Sequence, residues 1–173
     1  MPLTRILITV KTYPTLSVKY DELVCTAGFR EDGTWIRIYP IPFRQRPYHE
    51  QYQKYQWIEL DLEKNPNDFR PESYRPVSLD APIHVVDEIK PDGNAWHDRR
   101  EIVLNKVYNN LEVLISEAKD KSIGTSLCVF KPTRVLDFIW EMEEREWAKD
   151  KLENLRQLSL FDTVGENRMN VVK

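Results

Sequence analysis

Between Trp35 and Trp57 the chain places seven aromatic residues, four Arg or Lys and a single acid, Glu50, in 23 positions. Rings and guanidinium groups interleaved in this way suit single-stranded nucleic acid. Flat π-faces stack bases at about 1–3 kcal/mol each, and cations hold the phosphates between them. Period-2 alternation sorts "TWIRIY" (34–39) into two faces. Ile36 and Ile38 belong to a core, while Trp35, Arg37 and Tyr39 share the opposite face, and Phe43, Arg44 and Arg46 follow shortly after. The same residues also fit a structural cluster, with Arg37 over Trp35 as a cation–π pair beneath a covering element, or a groove for an extended peptide. Glu59 and Asp61, outward beside Trp57, would repel phosphate if they adjoin that face.

The motifs of catalysis are missing. No glycine-rich phosphate loop, HExxH, GxSxG or paired CxxC occurs, so no catalytic residue, metal ligand or cofactor is assigned. His49, His84 and His97 lie far apart in different elements. One nuclease-like pattern can be drawn from Pro91–Asp92 and Glu117-x-Lys119. A metal-dependent nuclease would need these side chains to converge, yet residues two apart on a helix diverge by about 200°. Asp137, Glu141, Glu143 and Glu144 read as a solvated face.

Near the C-terminal end of the sequence, "QLSLF" (157–161) resembles the short peptide motif that binds the bacterial sliding clamp. In that motif Gln157 would anchor, while Leu158, Leu160 and Phe161 would engage a hydrophobic pocket. The alternative is that these residues finish a helix and pack on the domain.

These residues need a scaffold, and composition bounds it. With 173 residues, 41% hydrophobic and 31% charged, the chain fits one ordinary domain or two small ones. The net charge is −3, but residues 35–57 sum to +3, so the rest of the chain carries −6. A basic site local to that stretch survives, because fields act within a Debye length of roughly 8–10 Å. Two cysteines, Cys25 and Cys128, give no disulfide framework or zinc spacing. No apolar run approaches the roughly 20 residues of a membrane span. A soluble, cytoplasmic protein with no membrane partner is expected.

"RILITV" (5–10) reads as a strand buried on both faces, and 22–29 with 34–39 as a hairpin about the polar turn "REDG". "QWIELDLEK" (56–64) and "PIHVVDEI" (82–89) read as further strands. "DRRE" (98–101) has the residues of a capping box. Beyond it, Leu104, Val107, Leu111, Leu114, Ile115 and Ala118 predict one amphipathic helix ending near Gly124. "SLCVF" and "RVLDFIWE" suggest two more strands, and 143–158 a second helix.

Two blocks carry a family resemblance. "VCTAGFREDGTWIRIYPIPFR" and "KPTRVLDFIWEMEEREW" resemble a largely uncharacterised bacterial family with a dual-OB-like domain, often discussed with mobile-element or defence genes. The resemblance spans about residues 5–161. It implies OB-like barrels and nucleic-acid or nucleotide sensing, with no catalytic residues to carry over. This chain departs from the pattern, because only two strands can be read after residue 124 and an OB barrel has five.

The expected fold is α+β: a small antiparallel OB-like barrel or curved sheet over 3–90, then a helix-strand-strand-helix segment over 91–161, either an incomplete second OB-like unit or strands belonging to one mixed sheet, and a mobile tail at 162–173. The expected function is a non-catalytic module binding single-stranded DNA or RNA, or a nucleotide. Trp35, Tyr39 and Phe43 would stack bases, and Arg37, Arg44 and Arg46 would hold phosphates. The alternatives are a protein-interaction module, through the aromatic groove or residues 157–161 on the sliding clamp, and a metal-dependent nuclease.

Overall fold

A computed structural model of the chain describes residues 3–17 and 21–142. Eight strands build one curled sheet: β1 (Thr4–Lys11), β2 (Thr15–Ser17), β3 (Asp21–Arg30), β4 (Trp35–Ile41), β5 (Gln56–Leu60), β6 (Leu62–Lys64), β7 (Ser73–Pro76) and β8 (His84–Glu88). Seven lie in the order β6-β7-β4-β3-β1-β5-β8, and β2 joins β3. Every pairing in this sheet is antiparallel except β4 with β7, which is parallel. The sheet is therefore mixed and curls into a half-barrel, the α+β architecture expected from the sequence.

Alternation explains the two faces. Ile6, Ile8, Val24, Ile36, Ile38, Ile41, Ile58 and Leu60 fill the inside of the curl together with Tyr52. β1 is buried on both sides, since Leu7 is as inaccessible as Ile6 and Ile8. On the outer face the strand registers align Asp87, Trp57, Leu7, Phe29 and Trp35 across five strands. Gly28 lets β3 approach β1: a Cβ there would sit 1.9 Å from the Leu7 carbonyl oxygen.

The single long helix expected from residue 98 is instead two helices, α1 (His97–Val103) and α2 (Leu111–Lys119). Between them, β9 (Val107–Tyr108) pairs in parallel with β10 (Val129–Phe130) in a separate small sheet. Asparagines break the run. Asn110 turns its side-chain oxygen onto the N–H groups of Glu112 and Val113 and caps α2, a local bond that competes with helix continuation. The start of α1 also differs from the capping box, because the Asp92 carboxylate, ahead of the helix, accepts the His97 N–H at 3.0 Å. Arg99 ties α1 to the sheet by donating to the Ile89 carbonyl and lying 4.0 Å over the Tyr55 ring.

β10 is shorter than "SLCVF" suggests, and "RVLDFIWE" forms no strand. This second stretch has no strand partner among the described residues, and its apolar residues are exposed. The second helix at 143–158, the "QLSLF" segment and the tail at 162–173 lie outside the described residues.

Candidate nucleic-acid interface

β4 carries the residues singled out in the sequence, and the structure sends them to different surroundings. Trp35 is half-buried on the outer face, its ring 4.0 Å from that of Phe29. Arg37, next but one, donates to the Ser126 hydroxyl at 3.2 Å, and that hydroxyl also bonds the Glu72 carboxylate. The chain beyond α2 therefore lies against this part of the strand. Tyr39 is 40% exposed. The outer face is thus shared: Trp35 and Arg37 meet other parts of the chain, and Tyr39 meets solvent.

Past the end of β4, one 3₁₀ turn (Phe43–Gln45) and another (Tyr48–Glu50) carry the rest of the stretch. Arg44 ion-pairs with Glu22 at 3.2 Å, its own side chain partly exposed and that of Glu22 buried. Burial pushes the Glu22 carboxyl up, and Arg44 pulls it back. Arg46 is buried instead. Its guanidinium donates to Glu50 at 2.9 Å, to the Ala81 carbonyl at 2.7 Å and to the Leu79 carbonyl. Phe43 packs against the inner core, edge-on to Tyr52 with ring centroids 5.0 Å apart.

Folding adds two cations that the sequence pattern did not single out for the site. The Lys11 ammonium, at the end of β1, lies 3.8 Å from the centroid of Phe43 and donates to the Tyr52 carbonyl at 3.2 Å. Burial holds Lys11 below its ordinary value, and the neighbouring charge of Lys54 lowers it further. Lys11 and Lys54 are 43 positions apart in sequence, which is why no local pattern joined them. The strand registers place the ends of β1 and β4 and the start of β3 at one end of the sheet. That end gathers Lys11, Lys54, Phe43 and Arg44. Tyr48, the most exposed aromatic of the stretch, stands on the second turn.

Comparison with known families follows the same stretch of chain. A family model described as a domain of unknown function, DUF8758, matches residues 2–105. The chain belongs to this family. No curated protein and no solved structure matches it. The DUF8758 match takes in the whole curled sheet and α1, and with them every residue of the β4 stretch. Ser126, which holds Arg37, lies beyond it.

Two of the nuclease-like residues, Asp92 and Glu117, hold other contacts. Glu117 accepts the Tyr108 hydroxyl at 2.6 Å and the Thr125 hydroxyl at 2.9 Å, and these bonds hold its carboxyl below the usual range. Among the described residues, no group of three or more His, Cys, Asp or Glu could hold a metal ion, and no helix is long and apolar enough to cross a membrane. Cys25 and Cys128 are free thiols.

Proposed function

We propose that this DUF8758 chain is a non-catalytic module that binds single-stranded nucleic acid or a nucleotide at the end of its half-barrel. The observation that carries the reading is the Lys11 ammonium above Phe43, with the Lys54 charge close enough to oppose its protonation. An anion brought to this spot relieves that repulsion, and a phosphodiester is an anion attached to a flat base. Tyr39 offers the solvent-facing ring for stacking, and Lys11, Lys54 and Arg44 hold phosphates. Phe43 backs the lysine. Arg37 extends the track along β4 when it exchanges Ser126 for phosphate. Trp35 and Arg46 hold the scaffold, one stacked on Phe29 and the other bonded to the 79–81 carbonyls.

The resemblance to dual-OB-like bacterial proteins supports the same reading, since an open barrel with a cationic, aromatic rim is a common platform for single strands. A bacterial, defence-linked setting is part of the proposal. The test is binding of a fluorescent single-stranded oligonucleotide and of a mononucleotide, at two salt concentrations, to wild type, Arg44→Ala and Arg37→Ala. Wild-type affinity that falls with salt, and falls again in Arg44→Ala, supports the proposal. Absence of binding to either probe at low salt sinks it.

A further inference from the structure

Two bulky residues hold a backbone conformation that glycine favours. Tyr55 has φ 67° and Trp96 has φ 54°, a region that large side chains rarely enter. They belong to different elements, yet their rings meet edge to face with centroids 6.4 Å apart. Tyr55 is pinned on both sides, its N–H on the Ile8 carbonyl and its carbonyl on the Ile89 N–H. Arg99 donates twice to the Ile89 carbonyl and lies 4.0 Å over the Tyr55 ring and 5.5 Å from that of Trp96. This frame presents the Trp96 ring 47% exposed. Strained backbone that delivers a half-exposed indole gains little burial for its cost, and such outliers cluster at ligand sites.

The ring pair stands at the cationic end of the half-barrel. β5 runs antiparallel to both β1 and β8. The end of β1 with Lys11, the residues before β5 with Lys54 and Tyr55, and the chain leaving β8 towards Trp96 therefore share one end of the sheet. Among the described residues, Lys11, Lys54 and Arg99 make no ion pair. Asp92, the acid just ahead of Trp96, is turned onto the His97 N–H. Tyr39 lies across the same end. The strand order β4-β3-β1-β5 separates it from Tyr55 by three strand spacings, roughly 14 Å.

We infer that Trp96, backed by Tyr55 and Arg99, is a second stacking platform, and that the ligand of this end is a single strand of several nucleotides rather than a mononucleotide. The platform presupposes the nucleic-acid reading proposed above and narrows its ligand. One base stacks on Tyr39, the phosphates that follow pass Arg44, Lys11 and Lys54, and a later base stacks on Trp96. Arg99 adds its charge behind that ring, where cation and π-face together favour a base. A mononucleotide carries one base and cannot occupy two rings so far apart.

The test is fluorescence anisotropy of the full 173-residue chain across a salt series. The probes are a labelled oligothymidylate of about twelve nucleotides, within the span that barrels of this kind cover, and labelled thymidine monophosphate. Trp96→Gly removes the ring, and glycine holds φ 54° without strain. Trp96→Phe keeps a ring. Wild type should bind the oligonucleotide about tenfold or more tightly than the mononucleotide, through the second stack and the added phosphates. Trp96→Gly should bind the oligonucleotide about fivefold or more weakly. Its salt slope should not change, because a ring neutralises no phosphate, and Trp96→Phe should restore most of the loss. Wild-type binding that Trp96→Gly matches overturns the platform and leaves the proposed function standing, as would follow if another part of the chain covered the ring. A loss that Trp96→Phe does not restore, or that lowers the salt slope, marks a structural role and also overturns it. Equal affinity for the two probes overturns the choice of a strand. Absence of wild-type binding to both probes sinks the proposed function, and the platform with it.

Discussion

The Lys11 ammonium stands 3.8 Å above the ring of Phe43, joining the end of the first strand to the turn that follows the fourth. Burial and the charge of Lys54 both work against its proton, so the lysine is a cation in a place that favours a counter-ion. Lys11→Met keeps an unbranched side chain over Phe43 and removes the charge. It is expected to weaken oligonucleotide binding to a similar extent for every sequence and to reduce the salt slope by about 1. Fluorescence anisotropy across a salt series reads both. An unchanged slope would show that Lys11 neutralises no phosphate.

Arg44 and Arg46, two positions apart, should behave oppositely when truncated. Arg46→Ala strands the Glu50 carboxylate and two carbonyls in a buried site. Breaking a buried, hydrogen-bonded charge pair costs about 3 kcal/mol or more. Arg44→Ala removes an ion pair whose arginine side chain is 45% exposed but whose Glu22 side chain is only 5% exposed. Burial already favours the neutral Glu22 carboxyl, so the variant leaves a protonated acid and costs less, about 1–2 kcal/mol. Urea denaturation of both variants checks the order, and equal losses would refute the division between scaffold and rim.

Gly28→Ala should be among the most damaging single-methyl changes in the sheet. The added carbon would meet the Leu7 carbonyl oxygen at 1.9 Å and the Ile8 Cα at 3.1 Å. Both obstacles are backbone of the neighbouring strand, and no rotamer change moves them. A loss of about 3 kcal/mol or more is expected, as for severe overpacking. A Gly28→Ala protein with the wild-type urea midpoint would mean that β1 and β3 can separate without cost.

Much of this was legible in the residue order. β1, β3 and β4 could be read because their apolar residues repeat with the strand period and "REDG" supplies the turn between two of them. β7 could not: "SYRP" has no apolar alternation, and its pairing with β4 is created by a connection of more than thirty residues. The split between α1 and α2 was hidden because Leu104 to Ala118 keep a helical period across the break, while Asn110 decides where the second helix starts. The site shows the same divide. Alternation placed Ile36 and Ile38 inward and Trp35, Arg37 and Tyr39 outward. It could not say that Ser126, 89 positions away, would meet Arg37, that Arg46 would turn inward while Arg44 stayed outside, or that Lys11 would arrive above Phe43.

Tyr52 makes the fold sensitive to alkali. Its hydroxyl is hydrogen-bonded to that of Thr26 at 2.6 Å inside the core. Burial pushes the phenol well above its ordinary value of 10.0, and the Thr26 bond and the Arg46 charge only partly offset this. The unfolded chain releases this proton near the ordinary value, whereas the folded chain keeps it. Above that pH the unfolded state binds fewer protons, so stability falls as pH rises, and below it the group contributes no pH dependence. Tyr52→Phe should cost about 1–2 kcal/mol at neutral pH by leaving the Thr26 hydroxyl without its partner. It should also flatten the alkaline decline. Urea midpoints for both proteins on either side of the ordinary phenol value separate the two effects. Wild-type and Tyr52→Phe profiles that decline in parallel would mean that Tyr52 ionises freely in the folded state.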